Sequence, residues 1–137
     1  MFSLADLERR EAALRELTHV PVGEVYLEVV GWEVSALLIQ GKRAAFQDAL
    51  HFWVNAVRVA ERRGDLWGWG VPVCEPLSED GFTQAVNGCW AAGWCRLSLV
   101  PRSGFVSAIT VCSSPDEIGA LAMFESEYVA AFWSTTV

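Results

Sequence analysis

Ser114 to Trp133 reads SPDEIGALAMFESEYVAAFW, and what this stretch folds into decides the architecture of the chain. Its opening carries a helix-start signature. Ser114 suits an N-cap, Pro115 the first helical position, and Glu117, three residues after the cap, completes a capping box. The run that follows predicts a C-terminal helix to about Trp133, with STTV beyond it as a frayed end. Ile118, Leu121, Ala122, Tyr128, Val129 and Phe132 form its apolar arc. Glu125 falls near the middle of that arc, between Leu121 and Val129. A carboxylate there must find a donor, stay protonated, or face a polar cavity, so Glu125 is a candidate site residue.

Upstream, CRLSLV (95–100) and FVSAITVC (105–112) flank PRSG, a turn signal, and predict a hairpin. Cys95, Leu97, Leu99, Val106, Ala108 and Cys112 read as its core face. Residues 66–74 alternate like a strand, and Ser78 or Asp80 can cap a short helix that runs towards Gly93. Lys42 to Arg63 is a long helical segment. Gln47, Asp48, His51, Asn55, Arg58 and Arg62 fill one polar arc, and apolar residues cover the remaining half and more. Such a helix is expected between two layers, a sheet and a further helix or subunit. On this reading His51 is solvated on the wet arc. Before it, VYLEVVGW (25–32), with Gly31 as a turn or bulge, and EVSALLIQ (33–40) read as strands, and Ser3 to Thr18 as an amphipathic helix with Ser3 as its cap.

Short links between these elements favour antiparallel pairing. The expected fold is therefore α+β in one domain, residues 1–137. An antiparallel sheet of about five strands would carry a long central helix, with N- and C-terminal helices packed on it. Hydrophobic residues make up 53% of the chain before glycine is counted; with Gly in place of Tyr the share is about 60%, against roughly 45–50% in ordinary globular domains on the same basis. A homodimer interface or a deep pocket would absorb the excess.

The charge is uneven. The formal net charge is −7, and residues 65–137 hold eight acids against only Arg96 and Arg102. An acidic half is a poor partner for phosphates, which argues against nucleic acid and for a basic protein partner. No apolar run is long enough to cross a membrane, and the charged start does not resemble an export signal. The expected location is the cytoplasm. Cys74, Cys89, Cys95 and Cys112 then read as free, buried thiols, because their spacing lacks the paired pattern of a metal site.

Two tryptophan pairs complete the candidate site. Trp67 and Trp69 share a face if their segment is extended. Trp90 and Trp94 share one if theirs is helical. Such aromatic walls hold flat rings, sugars or cations, and they serve equally well as core or interface. No nucleophile, metal or phosphate-loop motif accompanies them. The chain therefore reads as an acidic, tryptophan-rich cytoplasmic protein that acts by binding, of the protein-interaction, inhibitor or adaptor type, with no cofactor. The alternative is a small-molecule-binding or enzymatic domain, with a pocket walled by Trp67, Trp69, Trp90 and Trp94 and containing Glu125.

Overall fold

The computed structural model describes residues 1–16, 25–30, 34–62, 72–88, 104–114 and 117–135. The chain is α+β. In order, the described elements are α1 (Leu4–Glu16), β1 (Val25–Val30), β2 (Val34–Lys42), a 3-10 turn (Arg43–Ala45), α2 (Ala49–Arg62), β3 (Pro72–Leu77), α3 (Glu79–Gly88), β4 (Phe105–Ser114), β5 (Glu117–Phe124) and β6 (Glu127–Thr135). The strands form one antiparallel sheet of six, ordered β1-β2-β6-β5-β4-β3. No described helix is long and apolar enough to cross a membrane.

The C-terminal helix expected over 114–133 is instead the β5–β6 hairpin. The cause is burial on both faces. Ala120, Ala122, Phe124 and Val129 pack towards α3, while Leu121, Tyr128, Ala130 and Phe132 pack towards α1 and α2. A central strand covered on both sides shows no polar alternation, so its run of apolar residues mimics a helix. The capping bond itself is real: the Glu117 amide donates to Ser114 Oγ at 3.1 Å. It tightens the bend between β4 and β5 rather than starting a helix.

β4 has both edges occupied, by β3 and by β5. The strand expected over 95–100, which was to be its hairpin partner, lies outside the described residues. The expected core face of β4 is also revised. Val106 is exposed, whereas Ala108 packs towards α3 and Ile109 and Val111 towards α1 and α2.

α2 is shorter than the expected 42–63, because β2 runs through Gly41 and Lys42 and the chain turns at Arg43–Ala45. Gly41 is needed there: a Cβ would stand 2.7 Å from Phe46 Cε2. Towards the sheet, Phe52 stacks on Tyr128 (5.2 Å, 27°) and Trp53 lies tilted against Phe132 (5.0 Å, 33°). Towards α1, Leu50 and Val57 meet Phe2 and Leu7 across two clefts, and Arg15 of α1 bridges to Glu61 at 3.3 Å. At about 100° per residue, His51 and Asn55 lie on the remaining side of α2. Both are only 4% exposed. The expectation that His51 is solvated is therefore overturned.

α1 begins with a reciprocal cap. Ser3 N and Oγ both donate to Asp6 Oδ2, and the Asp6 amide donates back to Ser3 Oγ. These bonds from Ser3 hold the Asp6 carboxyl below its usual pKa. α3 starts the same way, with Ser78 Oγ accepting from the Gly81 amide at 3.0 Å.

Candidate functional site

Of the five residues singled out from the sequence, Trp67, Trp69, Trp90 and Trp94 lie outside the described residues. Glu125 lies within them, but not on a helix arc. With Ser126 it forms the two-residue link between β5 and β6, and it is exposed. None of the three described cavities is lined by it.

The turn that carries Glu125 is held from outside. Arg43 Nη1 donates to the carbonyls of Phe124 (3.2 Å) and Glu125 (3.0 Å), and the Arg43 amide donates to the Ser126 carbonyl at 3.0 Å. The Arg43 guanidinium also lies 5.9 Å from the centre of the Tyr128 ring, within cation–π reach. Gly104, with φ of +79°, backs onto the same turn. A Cβ there would stand 2.7 Å from Glu125 Cβ. Glu125 is thus a fixed acidic point at the tip of a braced hairpin. The polar triplet Glu125-Ser126-Glu127 interrupting an apolar run of this length was a turn signal that the helical reading absorbed.

The clearest electrostatic feature is the corner where β3 meets α3. Glu75, Glu79 and Asp80 are all exposed there. From Pro72 onward the described residues hold six acids, Glu75, Glu79, Asp80, Glu117, Glu125 and Glu127, and no base. Glu79 and Asp80 also suit the positive end of α3, whose first turn they occupy. Glu75, on a strand, has no such role.

Two clefts flank α1. One, of about 290 Å³, is floored by Phe2, Leu50, Met123 and Tyr128, with Asp6, Arg10 and Asp48 at its rim. Arg10 Nη2 bridges to Asp48 Oδ2 at 2.8 Å, so the rim charges already satisfy each other. The other, of about 150 Å³, is lined by Leu7, Glu11, Trp53, Val57, Pro72, Val111 and Cys112.

Cys74 and Cys112 are free thiols. Burial pushes the Cys112 thiol up to about 12; the Glu117 carboxylate and the Cys74 thiol add to this, and a bond from the Gly119 amide opposes it. Cys74 is also raised, by burial and then by the Asp6 carboxylate. It sits in a bulge where the β3–β4 register shifts between Pro72 and Glu75, with a left-handed φ of 49°. Both thiols resist ionisation, which is the opposite of what a nucleophile needs. Among the described residues no group of three or more His, Cys, Asp or Glu side chains converges as metal ligands would.

No family model, no curated protein and no solved structure matches the chain.

Proposed function

We propose that the chain acts by binding a basic protein through the acidic β3–α3 corner, and that it does so as a cytoplasmic homodimer. The observation that carries this reading is the set of six acids with no base among the described residues from Pro72 onward. Glu75, Glu79 and Asp80 stand exposed and adjacent. Charges of one sign gathered on one flank speed encounter with a partner of opposite sign and select against the wrong one. At the Glu125 turn the sign is mixed, since Arg43 lies against it and Lys42 stands opposite Glu127, so the single sign belongs to the β3–α3 corner. Acidic inhibitors and toxin-neutralising proteins share this size and charge, an analogy of composition only. The homodimer rests on the apolar excess of the sequence.

The alternative pocket reading, with four tryptophans and Glu125 lining one cavity, requires Glu125 to face inward. Its exposure on a turn favours the partner surface instead.

The test uses a lysine-rich peptide as the basic probe. Binding at low salt is expected to weaken roughly tenfold or more in the triple variant Glu75→Gln, Glu79→Gln, Asp80→Gln, and to weaken with added salt in the parent chain. Equal affinity in parent and variant overturns the corner as the binding surface. Sedimentation at micromolar concentration checks the dimer separately, and a species of only 15.1 kDa refutes it.

A further inference from the structure

His51 sits in the first turn of α2, 4% exposed, in a socket built for one protonation state. Its Nδ1 accepts the Gln47 backbone N–H at 3.0 Å. A ring nitrogen that accepts carries no proton, so the neutral ring holds its proton on Nε2. Nε2 is buried and has no hydrogen-bond partner among the described residues. The edge of Phe46 closes on the ring at 5.6 Å and 77°. The Asn55 amide donates to the His51 carbonyl at 2.8 Å, one turn along.

Among the described residues two charged groups face this ring. Asp48 comes from the lead-in to α2, and Arg10 from α1. Asp48 has two jobs. Its Oδ1 accepts from the His51 amide at 3.0 Å, which caps α2, and its Oδ2 holds Arg10 at 2.8 Å, which ties α1 to α2. Adding a proton to His51 upsets all of these relations together. Nδ1–H would point at the Gln47 N–H, donor against donor. The imidazolium would be buried without an acceptor at Nε2. Arg10 would repel it. Among the described residues Asp48 is the group that favours the cation, and turning its carboxylate towards the imidazolium draws on the oxygens that hold the His51 amide and Arg10.

We propose that His51 is an acid-sensitive latch: neutral, it locks the start of α2, and protonated, it takes Asp48 from Arg10 and frees the N-terminal half of α1 from α2. The cleft between Phe2, Leu50 and Tyr128 lies directly under the part released.

The direction of the pH response follows from linkage. Burial holds the His51 pKa below the ordinary histidine range, Asp48 opposes this and Arg10 adds to it. The unfolded or unlatched ring therefore binds protons more readily than the latched one. The latch is at full strength above the ordinary histidine pKa of about 6.5 and weakens as the pH falls below it. Carboxylates titrate lower, at about 4.

Hydrogen exchange read by mass spectrometry tests this at pH 7.5, 6.5 and 5.5, with rates corrected for intrinsic chemistry. Residues 4–10 are expected to lose protection on acidification while 11–16 and 117–124 keep theirs. In His51→Asn, whose side-chain oxygen can replace Nδ1 as acceptor, the loss is expected to vanish. In His19→Asn, which removes the other histidine of the chain, it is expected to persist. Unchanged protection of α1 in the parent chain, or the same loss in His51→Asn, overturns the latch. If His51→Asn does not fold, ring titration of the parent chain by NMR decides. A His51 pKa at or above 6.5 overturns the proposal, and one below it, with loss of α1 protection in the same range, supports it.

Discussion

The two faces of the sheet are packed differently. Towards α1 and α2 the strands present large side chains: Leu37, Ile39, Ile109, Leu121, Tyr128 and Phe132. Rings from α2 lie against them. Towards α3 the floor is mixed. Ala108, Ala120 and Ala122 are buried there, with Ala131 packed alongside; Leu38, Phe124 and Val129 add bulk from the strands, and Phe82 and Val86 of α3 cover them. The alanines of this floor tolerate no growth, and the large residues of the other face tolerate no loss, because interiors are packed close to crystal density.

Leu121 and Ala122 are neighbours in β5 that point to opposite faces, so they break the comparison most directly. Leu121→Ala is expected to cost about 2–5 kcal/mol, as a fully buried leucine leaves a cavity beneath α2. Ala122→Leu is expected to cost about 1–3 kcal/mol by overpacking under α3. The exchanged pair, Leu121→Ala with Ala122→Leu, keeps the total volume. If the faces are independent, the two costs add; recovery of stability in the double variant would show that volume passes through the sheet. Urea denaturation measures all three.

The pH dependence of Cys112 comes next in size. Its thiol is pushed up to about 12, while an unfolded thiol ionises at about 8.5. Between those values the unfolded chain has lost the proton and the folded chain has kept it. Stability attributable to this group is full below about pH 8.5 and falls by up to about tenfold per unit as the pH rises. Cys112→Val is expected to remove that part of the alkaline slope in pH-dependent denaturation, and an unchanged slope would count against it. The smallest effect belongs to Glu125. Glu125→Gln is expected to shift stability by no more than about 0.5 kcal/mol, because the side chain is exposed and the turn is held through its carbonyl. A larger loss would mean that the carboxylate itself braces the hairpin.

What the sequence made legible follows the same division between faces. α2 was readable because its polar arc is compact, and α1 because Ser3 caps it as its position suggests. The β1–β2 pair was readable from its strand-like runs. β5 and β6 were not, since both of their faces are buried and the alternation that marks a strand is erased. Ser114 deepened the error, because one serine-to-amide bond starts a helix and closes a hairpin equally well. His51 was misjudged for a related reason. Periodicity assigns it to a polar arc, but periodicity does not say whether something covers that arc. Of the candidate site, only the sign of the surface was legible; the acidic half was countable, whereas the corner that gathers Glu75, Glu79 and Asp80 depends on how α3 follows β3.

The strand order has a consequence for how the chain assembles. β6 comes after every other described strand, yet it sits between β2 and β5, with Val34 opposite Thr135. Among the described strands, the β1–β2 pair on one side and the β3–β4–β5 group on the other are joined by backbone pairing through β6. While the chain emerges from a ribosome, two half-sheets with open edges must wait until residues 127–135 are free. Long-range pairing of this kind slows folding and leaves strand edges exposed in the interval. A stop before residue 127 would therefore remove the keystone rather than trim an end, and would leave two pieces prone to associate with strangers.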